Sequence, residues 1–349
     1  MPWRFLFLVF LSTPALAQDQ LATTNSAPPV ASYEKCVINA SKLLTEVFDL
    51  MKKNYYKKDF IAWDSLQLLA QQQVKASTTC EGAYDAINHC FKLLKEQHSF
   101  VMPAIKAATY NNDTSYVCFS QNWKEQVGSC RAELLEPEIG YLEVPAISST
   151  DRWICEKMSD SLQSLIAHLD RSGVKHWIID LRKNTGGNCW PMLTGIGPLL
   201  QTDTCVYFIR NEERVPVIYK NGKTYQGKYE RCGTSQPGYQ LANKPLQIIV
   251  LTGNRTASSG EIVALAFRGM KETIMMGLPT AGLTTANATY QLSNNAMLVL
   301  SVCQEADRKG RIQEGRMKPD IIIESKYGED TALQEALMKL REVKILSNY

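Results

Sequence analysis

Two turns in this sequence place groups suited to acyl transfer. The first is Asn254–Ile262, NRTASSGEI, which lies between two apolar runs and puts hydroxyls on Ser258 and Ser259. Ser258 and Glu261 have the S-x-x-E spacing of a capping box, so Ser258 is either a helix N-cap or a nucleophile at a helix start. The unpaired amides and positive dipole end at such a start stabilise an anion formed beside the hydroxyl. The second turn is LRKNTGGNCW, in which Gly186-Gly187 sit between a strand pattern and a helix pattern. Paired glycines serve a left-handed turn, and they also let backbone amides approach a developing oxyanion.

A serine hydroxyl is a poor nucleophile until a base takes its proton. The chain has four histidines, His89, His98, His168 and His176. His89 and His168 fall off the apolar stripes of their helices. His176 opens a buried-type strand at the end remote from the glycine turn. His98, in LLKEQHSF, drops out of a helix end into a connecting segment and is the remaining candidate base.

These residues need elements to hold them. Apolar residues recur at helical spacing from residue 33 to about residue 97, among them Val37, Leu43, Leu44, Val47, Phe48 and Met51, then Tyr84, Ile87, Phe91 and Leu94. From Ile139 onward, short β-like runs alternate with helical patterns. Strands are expected at 139–144, 176–181, 246–251 and 273–276, with a pair at 289–292 and 297–302. Helices are expected at 155–169, 190–200, 258–267 and 331–343, the last capped by Asp330. Strands separated by helices imply an α/β domain with crossover connections. The expected organisation is a signal peptide at 1–17, a flexible leader at 18–32, a helical N-terminal domain at 33–105, a connecting segment at 106–138 and a core at 139–349.

The signal peptide is read from Arg4, the apolar run Phe5–Leu11 and Ala15-Leu-Ala17 before Gln18. No second apolar run approaches the ~18 residues of a spanning helix, so no stable membrane anchor is expected. All ten cysteines lie after the expected cleavage site. Their even number in an exported chain favours disulfides, and Cys118 with Cys130 or Cys205 with Cys232 are candidate short-range pairs. No C-x-x-C or zinc-like spacing occurs, so neither metal nor cofactor is expected. The formal charge of +3 over 349 residues, without long basic runs, argues against a nucleic-acid partner. Asn39, Asn112, Asn254 and Asn287 each begin an N-x-S/T, and a glycan on Asn254 would obstruct Ser258, which favours bacterial export to the periplasm or medium.

The blocks IIDLRKNTGG, IIVLTGNRTASSGEIVALAFRG, GLPTAGLTTA and MKPDIII appear together in the order of the tail-specific (C-terminal processing) serine peptidase superfamily, which the stretch from Ile139 to Ile323 resembles. The resemblance implies a crotonase-like (ClpP/crotonase) α/β peptidase core. It makes Ser258 the nucleophile, with an oxyanion hole from the amide of Ser259 and one of Gly186/Gly187. Serine–lysine members carry their base in a T-F-G-K block, and the equivalent here is Thr280-Ala-Gly-Leu283, without the lysine. Lys271 lies nearby but reads as a solvated surface lysine. The His98-Ser99 pair is instead similar to the histidine-using branch, which includes the tricorn protease core and the nisin resistance proteins. That branch uses a glutamate shortly before a terminal P-D, which points to Glu314, with Asp307 as the alternative. Between His98 and Ile139 there is no room for a PDZ module, so cleavage of selected peptides is expected rather than processive tail degradation. The substrate expected is a peptide or protein bound as an extended strand. The competing reading is a non-catalytic binding or scaffold protein on the same fold, in which Ser258 only caps a helix.

Overall fold

The run at 246–252 lacks the alternation of a half-exposed strand, the pattern of a strand covered on both faces. The computed structural model describes residues 40–74, 80–104, 106–107, 130–200, 204–324 and 328–347. The expected signal peptide and leader, and Cys36, Asn39, Asn112 and Cys118, lie outside the described residues. The chain divides into two units: Met1–Asn111 with Asn287–Leu300, and Asn112–Ala286 with Ser301–Tyr349.

In the first unit the helical periodicity yields α1 (Ala40–Asn54), α2 (Trp63–Val74) and α3 (Cys80–Leu93). The stripe Leu43, Leu44, Val47, Phe48 and Met51 of α1 is buried, as are Tyr84, Ile87, Cys90 and Phe91 of α3. After α3 the chain turns through Lys95, whose φ of 54° is left-handed, into the strand β1 (Phe100–Met102). Buried Glu96 fixes that turn. It accepts hydrogen bonds from Tyr55 Oη (3.0 Å) and from the amides of His98 (2.8 Å) and Ser99 (3.1 Å). Residues 287–300, read from the sequence as part of the core, cluster with these helices, because β1 pairs antiparallel with them at Phe100↔Val299 and Met102↔Met297.

The second unit contains a six-stranded sheet. Its strands in chain order are β2 (Arg131–Glu136), β3 (Ile139–Glu143), β4 (His176–Asp180), then, beyond the meander described below, β9 (Gln247–Thr252), β10 (Thr273–Gly277) and β14 (Ile321–Ile322). Their spatial order is β14-β10-β9-β4-β3-β2, parallel throughout except for the antiparallel edge strand β2. The helices Arg152–Arg171 and Ser259–Phe267 make the crossovers from β3 to β4 and from β9 to β10. The C-terminal helix Thr331–Ser347 covers one face, its Ala332, Ala336 and Leu340 packing on Ile139, Ile178, Ile249 and Met276. Asp330 caps that helix by accepting from the amide of Leu333 at 3.2 Å, and the Arg182 guanidinium bonds the same carboxylate.

The meander β5 (Thr204–Arg210), β6 (Glu213–Lys220), β7 (Lys223–Gln226) and β8 (Tyr229–Gly233) is absent from the sequence-based expectation. Its strands are mixed in polarity, so no apolar run announces them. The available signal was Asn221-Gly222 between β6 and β7, both left-handed (φ 49° and 79°), the dipeptide of a tight hairpin. The three remaining strands are β12 (Met297–Ala306), whose last residues pair with β5, and β11 (Thr285–Gln291) and β13 (Ile312–Gln313), which both pair with β12.

The meander also overturns the expected pairing of Cys205 with Cys232. Cys205 is on β5 and Cys232 on β8, with β6 and β7 between them, a separation of about 14 Å at the usual strand spacing, twice what a disulfide spans. Cys232 is a thiol 3.5 Å from Ser159 Oγ. Cys130 is likewise a thiol, against Met158 Sδ at 3.4 Å, so it does not pair with Cys118. Cys80 is disulfide-bonded.

Buried Asp170, at the end of the crossover helix from β3, clamps the segment leading into β9. It accepts from Tyr239 Oη (2.8 Å) and from the amides of Ala242 (2.7 Å) and Asn243 (3.2 Å). Asp170→Ala leaves these donors without their acceptor, and we expect a loss of about 2–4 kcal/mol, read as a lower midpoint in urea denaturation.

Candidate active site

Strands β4 and β9 are neighbours in register, Asp180 opposite Leu251. Parallel pairing therefore brings the loops after both strands out at the same end of the sheet, the end at which ligands bind in such sheets. Residues 181–188 and 253–258 face each other there. The site is built on these two loops.

Asn184 ties them together and is wholly buried. Its carbonyl accepts from Ala257 N (3.0 Å), its Oδ1 accepts from Gly186 N (3.0 Å), and its Nδ2 donates to the carbonyls of Val144 (3.0 Å) and Pro145 (3.1 Å). The glycines follow from this closeness. A Cβ on Gly186 (φ 101°) would lie 2.8 Å from Ala257 O and 2.9 Å from Ser258 Cβ, and one on Gly187 (φ 109°) would overlap the carbonyl of Ile147. Gly260 is constrained in the same way, since a Cβ there would lie 2.6 Å from Asn184 O.

Ser258 directly precedes the helix Ser259–Phe267 and has φ 52° and ψ −119°. That conformation is rare for a residue with a side chain and costs roughly 1–3 kcal/mol unless the surroundings impose it. Glu261 imposes it from inside the helix. Its Oε2 accepts from Ser258 N at 2.9 Å, the glutamate half of the capping box expected from the sequence. The same carboxylate accepts from Gly282 N (2.9 Å), Leu283 N (2.8 Å) and the Thr280 hydroxyl, so it also anchors the block that lacks a lysine. Burial raises the Glu261 pKa and these four donors oppose the shift. Lys271 is exposed, as a surface lysine should be.

The backbone amides here are not equivalent. Gly186 N–H is donated to Asn184, and Ser258 N–H to Glu261. The bridge between Ile147 and Gly187 is made by Ile147 N to Gly186 O and by Asn188 N to Ile147 O, so it does not use Gly187 N–H. Ser259 is the first helical residue and has no intrahelical acceptor for its N–H. Among the described residues neither Gly187 N–H nor Ser259 N–H is given to a backbone acceptor, and Ser259 Oγ donates to Gly187 O at 2.6 Å, joining the two segments.

Of the two candidate third groups, Asp307 is 2% exposed and satisfied by its own turn. It accepts from the amides of Lys309 (2.9 Å) and Arg311 (3.0 Å) and from Arg311 Nε (2.7 Å). Glu314 is exposed, and among the described residues its carboxylate takes one side-chain bond, from Gln304 Nε2 at 3.0 Å. His98 belongs to the first unit. It is half-buried, its amide held by Glu96 and its carbonyl accepting from Asn287 Nδ2 at 2.9 Å. His89 and His168 are exposed and His176 is buried.

Two residues of the site escaped the sequence reading. Asn184 carries no motif of its own, although an asparagine two residues before a glycine turn is a recognised turn-former. Glu305, on β12, is wholly buried with neither carboxyl oxygen hydrogen-bonded among the described residues. Burial, reinforced by nearby Glu261, raises its pKa well above the ordinary glutamate value, which favours the neutral acid. Burial also pushes the Cys189 thiol, next to the glycine turn, up to about 12, which removes it as a nucleophile at neutral pH.

Residues 138–323 match the model of peptidase family S41, and the chain belongs to that family. It is 30% identical over 182 residues to the nisin-resistance protein of Lactococcus lactis subsp. lactis, covering 52% of this chain and 55% of that one. It is 24% identical over 191 residues to the carboxy-terminal processing protease CtpA of Bacillus subtilis (strain 168), covering 54% and 36%. The chain thus spans about half or less of the length of these relatives. Among solved structures, a lipoprotein from Streptococcus agalactiae superposes with a TM-score of 0.64 at 22% identity, covering 92% of this chain and 99% of that one. The photosystem II D1 C-terminal processing protease superposes with a TM-score of 0.56 at 14% identity, covering 82% and 93%. At these identities the superpositions establish a shared fold.

Glu305 yields a pH prediction. In the unfolded chain a glutamate ionises near pH 4.3, whereas burial in the folded chain raises the Glu305 pKa and favours the protonated form, so this group costs folding stability as pH rises above that value. Glu305→Gln, which resembles the protonated acid in shape, should therefore raise Tm at pH 7. The gain should shrink as pH falls and vanish below about pH 4, as thermal melts across that range would show. Asn184→Ala should cost about 2–4 kcal/mol in chemical denaturation, because it removes the acceptor of Gly186 N–H and the donor to two buried carbonyls.

Proposed function

We propose that the protein is an exported serine peptidase that cleaves peptide bonds through an acyl-enzyme on Ser258. The observation that carries this reading is the strained Ser258 at a helix start, packed against Gly186 and followed by Ser259, whose hydroxyl bonds Gly187 O. Strain of that kind at a residue able to act as a nucleophile, imposed by a buried carboxylate, suits a hydroxyl that must be held at a fixed point. Family membership supports the peptidase chemistry, and the parallel sheet with crossover helices supports a crotonase-like core.

In this mechanism His98 takes the Ser258 hydroxyl proton as the oxygen attacks the peptide carbonyl. The N–H groups of Gly187 and Ser259 bind the oxyanion, worth several kcal/mol of transition-state stabilisation together. His98 passes its proton to the departing amine. It then takes a proton from water as the water oxygen attacks the ester, and gives it to the Ser258 oxygen as the ester C–O bond breaks and the acid product leaves. Gly186 serves by its conformation, since its amide is already bonded to Asn184. Glu314 steadies the imidazolium. It is preferred to Asp307 because the Asp307 oxygens are already satisfied by their own turn. The peptide binds extended, through main-chain hydrogen bonds. Export agrees with the disulfide at Cys80, since such bonds persist in oxidising compartments. Among the described residues no helix is long and apolar enough to cross a membrane.

One observation favours a different role. The Glu261 half of the capping box is formed, so the S-x-x-E pair has a structural use that a non-catalytic binding protein would share. A fluorophosphonate probe distinguishes the two. Labelling of Ser258 in folded protein, abolished by Ser258→Ala, is expected of the enzyme, and absence of labelling is expected of the binder. His98→Ala should slow labelling, and cleavage of a peptide library, by roughly three orders of magnitude or more. Unchanged labelling in that variant would remove His98 as the base.

A further inference from the structure

The first unit carries an apolar surface unrelated to the chemistry of Ser258. The 3-10 turn Lys58–Phe60, between α1 and α2, presents Phe60 at 87% exposure. Behind it is a groove of about 360 Å³ lined by Phe60, Ile61, Leu66, Leu69, Leu93 and Leu94. Leu68 and Leu93 are also exposed, at 56% and 50%. Helix α2 buries only Ala70 and Val74, although it carries three leucines.

The loop is built rather than slack. Phe60 N donates to Lys57 O (3.0 Å), Lys58 N to Tyr55 O (3.1 Å), and Trp63 Nε1 to Lys58 O (2.8 Å). Tyr55 packs edge-on against Tyr56 with ring centroids 4.9 Å apart. An apolar side chain held out in water by a braced loop is a cost that a partner would offset.

Charge identifies the partner. Lys53, Lys57 and Lys58 precede Phe60 in the chain, Lys58 Nζ donating to Lys53 O at 3.3 Å, and Lys92 and Lys95 bracket Leu93 and Leu94. On the two segments that line the groove the acidic residues are Asp59, Asp64, which pairs with Lys52 at 3.9 Å, and Glu96, which is buried and hydrogen-bonded. Residues 65–74 carry no charge. Tyrosine, tryptophan and lysine around a protruding phenylalanine form the composition that settles at the headgroup level of a bilayer, apolar side inward and ammonium groups on anionic lipid. We propose that this face of the helical unit docks on an anionic lipid surface, Phe60 entering the interface and the five lysines meeting the headgroups. Binding is peripheral and reversible.

The test is sedimentation of the chain beginning at Gln18 with vesicles of phosphatidylcholine, alone or mixed with phosphatidylglycerol. Starting at Gln18 removes any contribution of the apolar run Phe5–Leu11. Binding is expected to the mixed vesicles, weaker in high salt, and not to phosphatidylcholine alone. Phe60→Glu and the double change Lys57→Glu with Lys58→Glu should each lower the partition coefficient about tenfold or more. Phe60→Trp should keep binding and shift its emission to the blue on mixed vesicles. Because Phe60 is so exposed, its variants should retain the parent circular dichroism spectrum. The proposal is overturned if the mixed vesicles bind no better than neutral ones, or if Phe60→Glu binds as well as the parent. A dimer in solution dissolved by Phe60→Glu, without vesicle binding, would also overturn it, by showing a second copy on this face.

Discussion

Asn184 joins the loops that leave two adjacent parallel strands, and the rest of the site depends on that junction. Its carbonyl receives Ala257, its side-chain oxygen receives Gly186, and its amide nitrogen reaches the segment after β3. No water can replace these bonds at a wholly buried position without opening the fold, so the three loops are set as one body. The glycine pair follows from the same closeness, because the backbones approach to distances at which a Cβ has no room.

Glu261 does for the nucleophile loop what Asn184 does for the junction. Four donors converge on one buried carboxylate, and two of them come from residues 282 and 283, far along the chain from Ser258. The cost of burying that charge is compensated by these bonds, and the strain at Ser258 is sustained by one of them. Glu305 is the counterpoint. It shares the neighbourhood, has no donor among the described residues, and its pKa is raised by burial and by Glu261, since a second buried charge there would be expensive. One carboxylate per buried site is what this packing supports.

Much of the fold was legible in the sequence because its signals are local. The apolar stripes of α1 and α3, the buried runs of β4 and β9, the Asp330 cap and the S-x-x-E box each report on a few consecutive residues. The meander from β5 to β8 was not legible, because short strands of mixed polarity draw stability from cross-strand pairing, which has no local imprint beyond Asn221-Gly222. The cysteine pairs failed for a related reason. Closeness in sequence suggested them, and two intervening strands separate Cys205 from Cys232.

The sequence by itself determined that Ser258 begins a helix after a buried strand, that a glycine pair ends a second such strand, and that no lysine occupies position 283. These follow from residue type and short-range spacing, which set backbone conformation directly. Only the tertiary structure decided that Gly186 spends its amide on Asn184 while Gly187 does not, and that Asp307 is consumed by its own turn. It also decided that Glu305 is buried with no hydrogen-bond partner among the described residues. Such outcomes are fixed by which groups the fold brings within reach of a shared donor or acceptor. That contest is settled by the register of strands and loops distant in sequence, where a shift of one residue would reassign every bond.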